Sequence, residues 1–189
     1  MSSVIIAGNT SGTITLDAPA VAGTTVLTLP TANGTVITTG SSGQSIPKAA
    51  LPTGSVLQVV NATHSTQSST SSTSFVDTSL TATITPTSNT SKILVFVSQT
   101  GLYKSGTNSY IILRLVRGST SIVAIENEIV VTATTGTSTA ATSTTYLDSP
   151  ATTSATTYKT QIALGGSAGT IYWNVTNATS TITLMEIAA

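Results

Sequence analysis

Along most of the chain, apolar and polar positions alternate with a period of two. Leu80-Thr-Ala-Thr-Ile84 and Thr181-Ile-Thr-Leu-Met-Glu-Ile187 put their larger apolar side chains on one side of an extended backbone. Two other stretches, Ile93-Leu-Val-Phe-Val97 and Tyr110-Ile-Ile-Leu-Arg-Leu-Val116, are nearly unbroken apolar runs. That is the pattern of strands covered on both faces. From Ser55 onward the spacing predicts strands over 55–62, 74–85, 92–103, 110–117, 121–131, 143–147, 156–164, 170–176 and 180–187. Gly, Asn and Ser fill the breaks, and no window carries a helical period. Roughly eight strands at intervals of about 8 to 15 residues predict an all-β, jelly-roll-like antiparallel β-sandwich over residues 55–189.

The first 40 residues have a different texture. Three short runs, Thr13-Ile-Thr-Leu16, Thr25-Val-Leu-Thr-Leu29 and Thr35-Val-Ile-Thr38, are separated by Pro- and Gly-containing breaks. Asn33-Gly34 is a tight-turn signal, because both residues tolerate positive φ. Strands this short and few are marginal alone, so residues 1–40 are expected to form a β module that packs against other copies or a larger particle. Residues 41–54, with Gly and Ser early and Pro47 and Pro52 later, read as a linker.

Composition narrows the function classes. Ser and Thr exceed a third of the chain, whereas only 6% of residues are charged and the net charge is zero. Thr suits a pleated, half-wet surface and keeps it polar without charge. With 39% hydrophobic residues the chain can fold, and its uncharged surface removes the repulsion that keeps copies apart. Lys48, Lys92, Lys104, Arg114, Arg117 and Lys159 are scattered, which argues against a nucleic-acid partner. Cysteine is absent, so neither disulfides nor thiolate metal sites are available. No stretch approaches the ~18 apolar residues of a membrane helix, and Met-Ser-Ser-Val-Ile-Ile-Ala-Gly does not read as a signal peptide. No membrane insertion is expected.

Candidate chemistry is sparse. His64, the single histidine, lies in a Ser/Thr run where Asp77 or Asp148 and any of many serines complete a triad only by chance; a solvated loop histidine is the expectation. Glu126 and Glu128 share a strand side, and paired carboxylates are what a glycosidase needs, but Ile125-Glu-Asn-Glu-Ile129 is expected to be a strand with a polar outer face. No cofactor, metal or catalytic group is expected. Tyr172 and Trp173 are adjacent on a strand, so one faces in and the other out, and an exposed ring is a platform for a sugar. Tyr103 and Tyr158 carry the same choice between packing and surface contact. The Thr/Ser/Ala stretches 132–145 and 151–157 are expected to be long surface loops, the usual place for receptor specificity.

The segment from Ser11 to Thr35, Ser-Gly-Thr-Ile-Thr-Leu-Asp-Ala-Pro-Ala-Val-Ala-Gly-Thr-Thr-Val-Leu-Thr-Leu-Pro-Thr-Ala-Asn-Gly-Thr, resembles one common near the start of bacteriophage tail-fibre and virion proteins. Ile46-Pro-Lys-Ala-Ala-Leu-Pro-Thr-Gly-Ser-Val-Leu-Gln-Val-Val60 resembles the junction that follows it. Leu147-Asp-Ser-Pro-Ala-Thr-Thr-Ser-Ala-Thr-Thr-Tyr-Lys159 and the C-terminal Ser-Thr-Ile-Thr-Leu-Met-Glu-Ile-Ala-Ala resemble a head domain of aquatic phage proteins. The resemblance implies a non-enzymatic virion protein: a homotrimeric appendage whose N-terminal region meets other virion proteins. Its C-terminal head would face outward and contact a host glycan or envelope component. The absence of a long shaft favours a short fibre, a capsid decoration protein or a docked component; a polysaccharide-degrading fibre is the enzymatic alternative.

Overall fold

The structure is a computed structural model that describes residues 3–7, 13–17, 51–132, 139–166 and 168–189. The chain divides into two compact units, Met1–Ser45 and Ile46–Ala189. In the first, β1 (Ser3–Ala7) and β2 (Thr13–Asp17) form an antiparallel pair from Ser3 opposite Asp17 to Ala7 opposite Thr13. The expected strand over 13–16 therefore has a partner that the sequence reading did not foresee. The expected runs 25–29 and 35–38, the Asn33-Gly34 turn and the linker up to residue 50 lie outside the described residues.

The second unit is an all-β sandwich of two antiparallel sheets. Eight strands build it: β3 (Val56–His64), β5 (Val76–Ile84), β6 (Lys92–Lys104), β7 (Ser109–Arg117), β8 (Thr120–Thr132), β9 (Ala140–Asp148), β10 (Thr156–Gly166) and β12 (Ser180–Ile187). Two short strands, β4 (Ser68–Thr70) and β11 (Ile171–Trp173), extend one edge. One sheet runs β3-β12-β6-β9 and the other β5-β10-β7-β8. Counting the eight strands in chain order, these are 1-8-3-6 and 2-7-4-5, the strand order of a jelly roll. Connections cross between the sheets except at the β7–β8 hairpin, which turns on Gly118 at φ 59.

β6 is long enough to serve two successive strands, β12 and β11, along one edge. Lys92 to Ser98 pair with β12, and Tyr103 and Lys104 with β11, while β9 pairs along the other edge as far as Leu102. The β6–β9 pairing is broken by a bulge between Gln99 and Leu102. Gly101 occupies it at φ 61, where a Cβ would stand 2.7 Å from the backbone nitrogen of Val175.

Apolar side chains fill the sandwich in two clusters. Leu80, Ile84, Ile93, Val95, Leu115, Tyr158, Ile182 and Leu184 form one, and Leu102, Ile111, Leu113, Ile162, Leu164, Ile171 and Trp173 form the other. A fully buried polar layer separates them. The Thr160 hydroxyl on β10 donates to Gln99 Oε1 on β6 at 3.0 Å, crossing from sheet to sheet. Gln99 Nε2 donates to Ser180 Oγ at 2.9 Å, and Ser180 Oγ donates to Asn174 Oδ1 at 2.6 Å. Thr78 shares a hydrogen bond with Thr160, while Trp173 Nε1 donates to the Thr78 carbonyl at 2.9 Å.

The two apolar runs depart from expectation. Their pattern predicts cover on both faces, yet β6 buries one, and β7 buries its outer side only at Val116. Ile93, Val95 and Val97 point into the core, whereas Leu94 is half-buried and Phe96 is 39% exposed. In β7, Ile111, Leu113 and Leu115 are buried while Tyr110, Ile112 and Arg114 are partly open. The expected loop 132–145 is also corrected. Residues 140–145 belong to β9, paired with β6, because the edge of β6 needs a partner and Thr and Ser fit a strand with one wet face.

Gln99→Leu should lower unfolding free energy by about 2–4 kcal/mol, because Thr160, Ser180 and Asn174 lose their shared partner inside the core. Thr83→Ala, which removes an exposed hydroxyl pair with Thr157, should cost under about 1 kcal/mol in the same denaturant titration.

Candidate functional site

The four aromatic candidates separate by depth. Tyr158 is buried and donates its hydroxyl to Asp148 Oδ2 at 2.7 Å, and the same oxygen accepts Arg117 Nη1 at 2.6 Å. Burial first, and then the carboxylate beside it, hold the Tyr158 phenol far above its usual range, so it remains a donor. Trp173 is buried in the second apolar cluster with its indole nitrogen satisfied. Neither can be a surface contact, which corrects that expectation for both. Both sit on the inward side of the pleat. Tyr103 and Tyr172 remain half-buried, directly opposite each other in the β6–β11 pairing, with ring centroids 5.4 Å apart.

The candidate catalytic groups do not come together. His64 ends β3, half-buried, with an Nε2 that has no hydrogen-bond partner. Glu126 and Glu128 are exposed on β8, and Glu126 Oε1 accepts only the backbone N–H of Asn127. Among the described residues no group of three or more His, Cys, Asp or Glu could hold a metal ion. No described helix is long and apolar enough to cross a membrane.

Glu186 is different, because it is a buried carboxylate at the end of β12. Its Oε1 accepts the Thr87 N–H and hydroxyl, both at 2.6 Å, and its Oε2 accepts Gln58 Nε2 at 2.6 Å. Burial pushes its pKa up, but the bonds from Thr87 and Gln58 outweigh that and hold it below the ordinary carboxylate value. These bonds tie β3 and β12 to the β5–β6 loop, beside an open pocket of about 490 Å³ lined by Leu51, Leu57, Thr90 and Ala189. The role is architectural: a clamp at one end of the sandwich, as Asp148 is elsewhere.

The outer faces of the two sheets differ in chemistry. On β5-β10-β7, Lys159 Nζ donates to Asp77 at 2.8 Å, Gln161 Nε2 donates to Asp77 at 2.7 Å, and Arg114 donates to Gln161 while lying 3.7 Å over the Phe75 ring. On β3-β12-β6-β9 the side chains form rows straight across the sheet. Val59, Met185, Leu94 and Leu147 make one row. Val56 and Ile187 flank it on one side, with Lys92 at the margin, and Asn61, Thr183, Phe96 and Thr145 on the other. Thr63, Thr181, Ser98 and Ser143 make the next. Val56 (49%), Val59 (54%), Phe96 (39%) and Leu147 (49%) are the exposed large apolar side chains among the described residues, and all four belong to this face. Sequence reasoning missed the face, although the unbroken run 93–97 carried its signal.

The sequence matches no protein-family model and no curated protein. Among solved structures it is similar to infectious bursal virus derived T=1 particles, at 12% identity and a TM-score of 0.42 over 79% of this chain and 41% of that one. It is also similar to a mutant VP2 protein of infectious bursal disease virus in derived T=1 particles, at 13% identity and a TM-score of 0.39 over 78% of this chain and 40% of that one. The chain spans about two fifths of the length of these structures.

Acidification should weaken the fold through Glu186. Its lowered pKa contributes stability that is present above the unfolded-state value of about 4.3 and lost as pH falls through the folded one. Unfolding free energy measured between pH 7 and pH 3 should drop below about pH 4.3. Glu186→Gln should be less stable at pH 7 and show a shallower acid limb.

Proposed function

We propose that this chain is a non-enzymatic structural protein of a virus particle, a short homotrimeric appendage of a bacteriophage. In this reading its N-terminal region joins other virion proteins and its sandwich forms the exposed head. The observation that carries the reading is a jelly-roll sandwich with an almost charge-free Ser/Thr surface. Such a surface neither attracts a polyanion nor repels a copy. The dispersal of His64, Glu126 and Glu128 supports a role by assembly rather than by chemistry. The N-terminal segment 11–35, with its likeness to phage virion proteins, supports the setting.

Contact with a host glycan is the finer part of the proposal. It would use the Tyr103–Tyr172 pair, whose rings offer a partly open stacking surface.

Light scattering of the full chain at micromolar concentration should return three times the 19.0 kDa chain mass, and a monomer contradicts the trimer. On particles labelled at the C-terminus, label at tail tips supports the appendage, and label on capsid faces turns the reading to decoration. Tyr172→Ala particles should adsorb more slowly to host cells; adsorption at the wild-type rate removes the glycan role.

A further inference from the structure

We infer that the outer face of the β3-β12-β6-β9 sheet is the contact surface between copies of this chain. The inference rests on the self-assembling reading above and names the surface responsible.

Three observations converge on it. The first is the mismatch within β6. Ile93-Leu-Val-Phe-Val97 has the pattern of a strand covered on both sides, and one chain covers only the side of Ile93, Val95 and Val97. Leu94 and Phe96 belong to a second layer that the single chain does not supply. The second is where the apolar exposure falls. The four exposed large apolar side chains among the described residues lie on this face, around the row Val59-Met185-Leu94-Leu147, and hydroxyl and amide side chains adjoin them. An apolar centre with an uncharged polar rim is the anatomy of a protein interface.

The third is charge. Asp77, Lys159 and Arg114 stand on the outer side of the opposite sheet, and this face carries Lys92 alone, at its margin. A foreign partner selected by electrostatics has almost nothing here to read. A second copy, itself of zero net charge, brings matching apolar surface and meets no repulsion.

The area is adequate. Four strands about 4.8 Å apart, with four outward rows about 6.8 Å apart, give a face of roughly 500 Å² in projection. A specific interface needs about 1,000 Å² in total, half from each partner. Around a three-fold axis three such faces turn inward, each shared between two neighbours, and together they bury roughly 1,500 Å².

Val59→Glu and Leu147→Glu place a carboxylate on this face at open positions on the sheet's two outer strands, where folding tolerates it. Made singly and together in the full chain, they should lower the mass by light scattering to that of one chain. Circular dichroism and the thermal midpoint of the dissociated chain report that the sandwich remains. Thr83→Glu, on the outer side of β5, should leave the wild-type mass unchanged. A wild-type oligomer that survives both face substitutions overturns this inference and leaves the self-assembling reading standing. A wild-type chain that is already monomeric overturns both. Should either variant unfold, hydrogen exchange on the wild-type oligomer decides: amides of β3 and β9 that exchange no more slowly than those of β5 and β8 also overturn it.

Discussion

Gln99 stands where the two sheets are tied together. It lies on β6, the strand that pairs with β12, β9 and β11, and it receives the Thr160 hydroxyl from the opposite sheet. An amide buried here is tolerated only because both ends are satisfied, and a half-made network would cost more than an apolar side chain. The polar layer also fixes register. Sliding β6 by two residues would keep apolar side chains facing inward but would break the bonds to Ser180 and Thr160. Hydrophobic patterning makes a sandwich, and this layer makes one particular sandwich.

With the inner faces joined, each sheet presents one outer face, and the two are solved differently. The β5-β10-β7 side spends its few charges on local pairs, Lys159 with Asp77 and Arg114 with Gln161 over Phe75. The β3-β12-β6-β9 side leaves a row of apolar side chains open. Asp77, Arg114 and Lys159 stand on the first of these outer faces, whereas the second carries Lys92 alone, at its margin.

Much of this was legible in the alternation of residues. The strands from Val56 to Ile187 follow the period-two pattern, and Tyr172 and Trp173 divide between the two sides as adjacent strand residues must. Other features depend on partners distant in sequence. Tyr158 shows no sign of depth until Asp148 and Arg117 are brought around it from other strands. The strand expected over 143–147 is part of β9, but its first residues, 140–142, hid in a Thr/Ser/Ala stretch, because small hydroxylated residues read as loop when no partner strand is known. Glu186 looked like one more polar position in an alternating strand, and only the return of Thr87 and Gln58 to it shows a clamp. The run 93–97 reads as a strand covered on both sides, and the single chain covers only one of them.

The most direct test of that missing cover is hydroxyl-radical footprinting of the full-length protein at concentrations where it is assembled. Phe96 and Met185, both on the apolar face, should be modified much more slowly than Tyr110 on the outer side of β7, and dilution to the single chain should remove the difference. Phe96 and Met185 labelled as fast as Tyr110 in the assembled protein would contradict the account.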